Sequence, residues 1–146
     1  EEGEEGLRRG FSESHLIFDD SLVLPGGDSL DDGYRAAIAF FSEVPAERRP
    51  TAVTCYNDLV ALGLMRALRE LDVRIPDDVS VVGFDDLRML EYFPLALTTV
   101  HVPKYEMGRQ AAELLIHQIE SRAPSEVVKQ HLAATLVVRD STRSLN

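Results

Sequence analysis

Twice in the middle of the chain a short apolar run stops at a polar pair and gives way to a segment of different period. Thr51-Ala52-Val53-Thr54-Cys55-Tyr56 stops at Asn57-Asp58, and Val79-Ser80-Val81-Val82-Gly83-Phe84 stops at Asp85-Asp86. A compact run of β-branched and apolar residues is the pattern of a strand buried on both faces, as in a parallel sheet. Parallel neighbours need a crossover, and the stretch between the two runs supplies one. Leu59, Leu62, Met65, Leu68 and Leu71 recur near helical spacing behind Asp58, a good N-cap. The repeated strand, acid, helix order predicts an α/β fold with a parallel sheet flanked by helices.

The flanking sequence extends the same alternation. Ser21-Leu22-Val23-Leu24 reads as a strand ended by Pro25-Gly26-Gly27, after which Asp28 or Ser29 caps a helix to about Ser42 through Tyr34, Ala37, Ile38 and Phe41. Beyond the second run lie a loop or short helix with Tyr92-Phe93-Pro94, a β-prone stretch over 97–102, and Pro103 ahead of a long amphipathic helix to about Ser121. Ala112, Leu115, Ile116 and Ile119 form that helix's inner stripe. Two short strands, over 127–132 and 135–139, finish the chain, with breaks at Pro124 and Ala133-Ala134.

Charge limits the partners. Fifteen Lys and Arg against 25 Asp and Glu give −10, which repels a phosphate backbone, so this chain by itself is not expected to bind DNA. Ten of the acids and only two bases fall in residues 1–32, which reads as a solvated N-terminal stretch. No window approaches the roughly 18 apolar residues of a membrane span, and Glu1-Glu2-Gly3-Glu4-Glu5 is unlike a signal peptide. The reading is therefore cytoplasmic, with no membrane partner. A single cysteine, Cys55, has no internal disulfide partner.

In open α/β sheets ligands bind just beyond the carboxyl ends of the strands. Asn57 there offers a donor and an acceptor, and Asp85 a carboxylate for hydroxyls or amines, which together describe a binder of a small polar molecule. The plainer reading of Asn57, Asp58, Asp85 and Asp86 is that they end strands and cap helices, and it suits Asp58 and Asp86 best. No G-x-S-x-G, H-E-x-x-H, C-x-x-C or phosphate-loop motif occurs, and His15, His101, His117 and His131 lack metal-ligand spacing. His101 and His131 read as ordinary strand residues and Cys55 as a buried thiol. No catalysis, cofactor or metal is expected. A receiver-like phospho-acceptor domain also carries acids at strand ends, but its late lysine-proline pair is reversed here as Pro103-Lys104.

In order and spacing, the segments Pro50-Thr51-Ala52-Val53, Asn57-Asp58-Leu59-Val60-Ala61-Leu62-Gly63, Ile75-Pro76-Asp77-Asp78, Val79-Ser80-Val81-Val82-Gly83-Phe84-Asp85-Asp86 and Leu97-Thr98-Thr99-Val100 resemble the LacI/GalR family of bacterial transcriptional regulators. The likeness runs on through Gly108-Arg109-Gln110-Ala111-Ala112-Glu113-Leu114-Leu115 to Leu136-Val137-Val138-Arg139-Asp140-Ser141-Thr142, covering about 6–142. It implies a two-lobed, periplasmic-binding-protein-like effector domain of fold type I, incomplete here, behind an operator-reading helix-turn-helix that this chain lacks. Residues 1–97 would be part of the second lobe. Residues 98–146 would hold a hinge crossing near Thr98, Thr99 and Val100 and the return to the first lobe, with another crossing near 137–141. By the same resemblance Asn57 and Asp85 match effector-binding positions, while Leu62, Tyr92 and Phe93 fall at a homodimer interface. Two positions depart from the family pattern: Gly3 stands where an arginine often grips the effector, and Asp28 where an aromatic often stacks on it. The expected function is sensing of a small polar effector such as a sugar, with operator DNA engaged only through the headpiece. A sugar-binding transport protein of the same fold is the alternative.

Overall fold

The computed structural model describes residues 2–121 and 127–144. Among these residues four α-helices and four strands follow in the order α1 (Glu2–Glu13), α2 (Leu30–Glu43), β1 (Ala52–Thr54), α3 (Asp58–Glu70), β2 (Ser80–Asp85), β3 (Thr98–His101), α4 (Lys104–Ser121) and β4 (Thr135–Val137). The strands form one sheet in sequence order. β1 with β2 and β2 with β3 are parallel, and β4 closes antiparallel on β3, with Thr99 opposite Val137.

The core lies between the sheet and the α2–α3 pair. Ala37 and Phe41 of α2, Ala61, Leu62, Leu64, Ala67 and Leu68 of α3, and Val79, Val81, Leu90 and Leu97 are all buried in one cluster. α2 starts where its sequence permits. Ser29 Oγ accepts from the Asp32 amide while the Asp32 carboxylate accepts from the Ser29 amide, a reciprocal capping box that selects Ser29 over Asp28 as the cap. Where α2 crosses α3, Gly63 is required: a Cβ there would run into the Leu30 carbonyl and lie 2.8 Å from the Tyr34 nitrogen. Around the crossing, Tyr34 donates to Glu70 at 2.6 Å and lies under the Arg66 guanidinium.

Several expected elements are corrected. The 21–24 stretch is not a strand: Asp20–Leu22 is a 3₁₀ turn capped by the Asp19 carboxylate, which accepts from the Ser21 amide. Among the described residues no strand pairs with it, and Leu22 and Val23 stay exposed. Residues 127–132 likewise form no strand, and Val127 and Val128 are exposed. Pro124 lies outside the described residues. β1 is the sheet's edge rather than a strand covered on both faces, so Val53 and Cys55 are half-buried and Tyr56 is exposed. α4 buries none of its residues, and Leu115, Ile116 and Ile119 face solvent.

The acidic start is helical from Glu2, so Gly3 lies inside α1 rather than ahead of it. Glu4 and Glu5 sit near the helix N-terminus, where negative charge is favourable. Arg8 pairs with Glu4 and Asp20 and stacks 4.3 Å from the Phe18 ring, which meets Phe11 edge-on.

Candidate ligand site

The two predicted ligand residues lie at or just beyond the carboxyl ends of neighbouring parallel strands, β1 and β2. Ala52, Val53 and Thr54 pair with Ser80, Val81 and Val82, and the Cys55 amide still donates to the Val82 carbonyl. Asn57 follows three residues after β1 ends and Asp85 is the last residue of β2, so both lie toward the carboxyl edge of the sheet. Their side chains are differently engaged. Asn57, not Asp58, is the N-cap of α3: its Oδ1 accepts from the Val60 amide at 2.8 Å. Its Nδ2 donates to the Asp28 carbonyl, also at 2.8 Å, tying the entry of α2 to the same rim. One amide hydrogen and one lone pair remain on Asn57 for a ligand by inventory. Asp28 is exposed at this rim and is held through its backbone.

Asp85 ends β2 with φ 115°, and Asp86 follows with φ 52°. Two successive non-glycine residues in this region mark strain, which surrounding bonds must hold in place. They do. Lys104, at the start of α4, donates to the Asp85 carbonyl at 2.7 Å and pairs with its carboxylate at 3.1 Å. The Asp86 carboxylate receives Arg139 at 2.6 Å and meets His101 Nδ1 at 2.9 Å. Burial would raise the Asp86 carboxyl, but Arg139 and His101 outweigh it and hold it below the usual carboxylate range. Arg139 also donates to the Leu97 carbonyl, so one guanidinium joins the turn after β2 to the entry of β3. Asp86 is therefore not a helix cap: the 3₁₀ turn Arg88–Tyr92 begins behind Leu87.

Asp58 has a role the sequence did not suggest. It is fully buried, accepting from Thr99 Oγ1 at 2.6 Å and from the Leu87 amide at 2.8 Å. A Cβ on Gly83 would overlap its carboxylate, so glycine in β2 makes room for this bond. Burial pushes the Asp58 carboxyl above the usual range, against the pull of its two donors. Burial also pushes the Cys55 thiol up to about 12, with the Asp58 charge adding to it, which keeps it a thiol at neutral pH. Thr98 and Thr99 of β3 are buried, and Val100 is half-buried. Ser141 Oγ accepts from the Thr98 amide and donates to the Val81 carbonyl, pinning the segment after β4 to β2 and to the start of β3.

Of the residues expected to face a partner, Tyr92 is 86% exposed and Phe93 40%, whereas Leu62 is 5% exposed. Leu62 packs in the α2–α3 core and presents little surface of its own. Sequence reasoning missed Lys104, Arg139 and His101 as companions of the Asp85–Asp86 turn. They come from α4 and from the ends of β4 and β3, and only the fold brings them together. Beside Lys104 and His101 lies an open cavity of about 290 Å³ lined by Asp85, Asp86, His101, Lys104, Tyr105 and Glu106, among others.

The model of the periplasmic binding protein-like domain matches residues 1–142. The HTH-type transcriptional repressor PurR of Vibrio campbellii is 38% identical over 97% of this chain and 41% of its own length. A LacI family transcriptional regulator from Enterococcus faecium, solved with bound ribose, superposes with a TM-score of 0.84 at 31% identity, over 97% of this chain and 51% of that one. A LacI family regulator from Lactobacillus casei with bound sucrose gives 0.80 at 25% identity, over 94% and 50%. The chain thus spans about two-fifths of the curated relatives and half of these solved regulators.

Proposed function

Since this chain belongs to the periplasmic binding protein-like domain family, among the LacI-type transcriptional regulators, we propose that it is the later part of the effector-binding region of a cytoplasmic, DNA-binding repressor. The observation that carries this reading is the match along 97% of the chain to a repressor and to a sugar-bound regulator alike. The chain itself binds and transmits and has no catalytic role. Asn57 and Asp85 contact a small polar effector such as a sugar, from adjacent strand ends. Residues 1–97 form part of the second lobe, and 98–146 cross at Thr98, Thr99 and Val100 and return to the first. Tyr92 and Phe93 lie in a homodimer interface, their exposure being consistent with it. Operator DNA is read by a headpiece outside this chain, which matches the −10 charge.

The mechanism is a population shift. An effector bridging two lobes favours one inter-lobe angle only by the difference in its affinity for the two arrangements. The Asp85–Asp86 turn is placed to sense this, because Asp86 is bonded to His101 on one proposed crossing strand and to Arg139 on the other. A thermal-shift screen of sugars, nucleosides and amino acids on the full-length protein tests the reading. A ligand should stabilise the protein, and Asp85→Ala should abolish the shift. A hit that Asp85→Ala leaves untouched would remove Asp85 from the site.

A further inference from the structure

The carboxylate assigned to the effector already has a cation. Lys104 Nζ lies 3.1 Å from the Asp85 carboxylate and donates to the Asp85 carbonyl at 2.7 Å. The other acids lining the same cavity are compensated elsewhere: Asp86 by Arg139 and His101, and Glu106 by Arg109, with Gln110 also donating to it. Lys104 is therefore matched to Asp85 alone. An ammonium has three donors, of which one is spent on the Asp85 carbonyl; the contact with the carboxylate is an ion pair, and half of the Lys104 side chain is open to solvent. Lys104 and Asp85 line the same cavity, so the spare donor capacity of the ammonium lies beside the carboxylate.

Resting on the effector-site reading above, we propose that Lys104 is a ligand-contacting, specificity-determining residue that selects hydroxylated effectors bearing an acidic group and rejects cationic ones. A ligand amine aimed at Asp85 has to displace Lys104 or sit beside it, like charge against like charge. A neutral hydroxyl can donate to Asp85 without disturbing the pair. A ligand carrying a hydroxyl for Asp85 and a carboxylate or phosphate for the spare Lys104 donor satisfies both groups through charge-assisted bonds.

Calorimetric titration of the full-length protein with matched neutral, amino and acidic sugars tests this, using glucose, glucosamine, glucuronate and glucose 6-phosphate beside ribose and ribose 5-phosphate. At least one acidic sugar should bind about tenfold or more tighter than the amino sugar. Lys104→Gln should weaken that acidic sugar about tenfold and strengthen glucosamine relative to it, while Lys104→Arg keeps the wild-type order. The proposal is overturned if glucosamine binds best, if only neutral sugars bind, or if Lys104→Gln changes every affinity by less than twofold. In those cases sensitivity to Asp85→Ala still upholds the effector site itself. If no sugar, nucleoside or amino acid binds the wild type, both readings fall.

Discussion

Asn57 and Asp58 are adjacent residues of nearly equal capping ability, and the structure divides their labour by what lies far away in sequence. Asn57 caps α3, which frees Asp58 to turn inward toward Thr99 and Leu87. Nothing local distinguishes the two, because the donor that claims Asp58 is 41 residues away. Asp58→Ala should leave a buried hydroxyl and a buried amide unpaired and cost about 3 kcal/mol, read as a lower urea midpoint. Asp58→Asn keeps one acceptor and should lose about half as much. A loss under about 1 kcal/mol for the alanine variant would show that water replaces the carboxylate. The acid response has a different source. Arg74 holds the Asp78 carboxyl at about 2, below its ordinary 3.8. A depressed carboxyl contributes stability above its unfolded value, and that contribution is lost as pH falls from about 3.8 through about 2. Asp78→Asn should flatten this limb of the stability profile. Asp58 works in the opposite sense: its raised carboxyl contributes below its unfolded value and loses that contribution as pH rises.

At the scale of elements, helices with a buried stripe were legible from spacing, while strands were legible only where a neighbour exists to pair with them. α2 and α3 follow their apolar periods closely, and β2 and β3 occupy their expected runs within a residue or two. The stretches at 21–24 and 127–132 have strand-like composition but no ladder among the described residues, and an unpaired strand has no element to join. Helix packing turns on small details that composition hides. Gly63 and Gly108 both sit inside helices, yet a Cβ on Gly63 strikes α2 while one on Gly108 meets nothing within 4 Å. Gly63→Ala should drive α2 and α3 apart and destabilise the protein by about 3 kcal/mol. Gly108→Ala should stabilise it by about 0.5–1 kcal/mol through helix propensity alone. Equal effects in thermal denaturation would mean that the close α2–α3 approach is not maintained in solution.

For the whole molecule the informative contrast is between two helices of one chain. α3 lies in the core, with Leu64, Ala67 and Leu68 buried, whereas α4 buries nothing and turns Leu115, Ile116 and Ile119 to solvent. An exposed helix of this length is marginal in water without tertiary packing, so its amides open locally, while those of α3 open only with the fold. Hydrogen exchange on the 146-residue chain should therefore find α4 exchanging at least about tenfold faster than Leu64 and Leu68. The proposed assignment of 98–146 to the return into a first lobe makes a second, stricter demand. In the full-length protein the apolar stripe of α4 should be covered, and its protection should rise to that of α3. An α4 that stays unprotected there would separate 104–121 from the first lobe and remove the inter-lobe crossing at Thr98, Thr99 and Val100. The coupling from the Asp85–Asp86 turn through His101 and Arg139 would then end within this sheet and could not reach a DNA-binding headpiece.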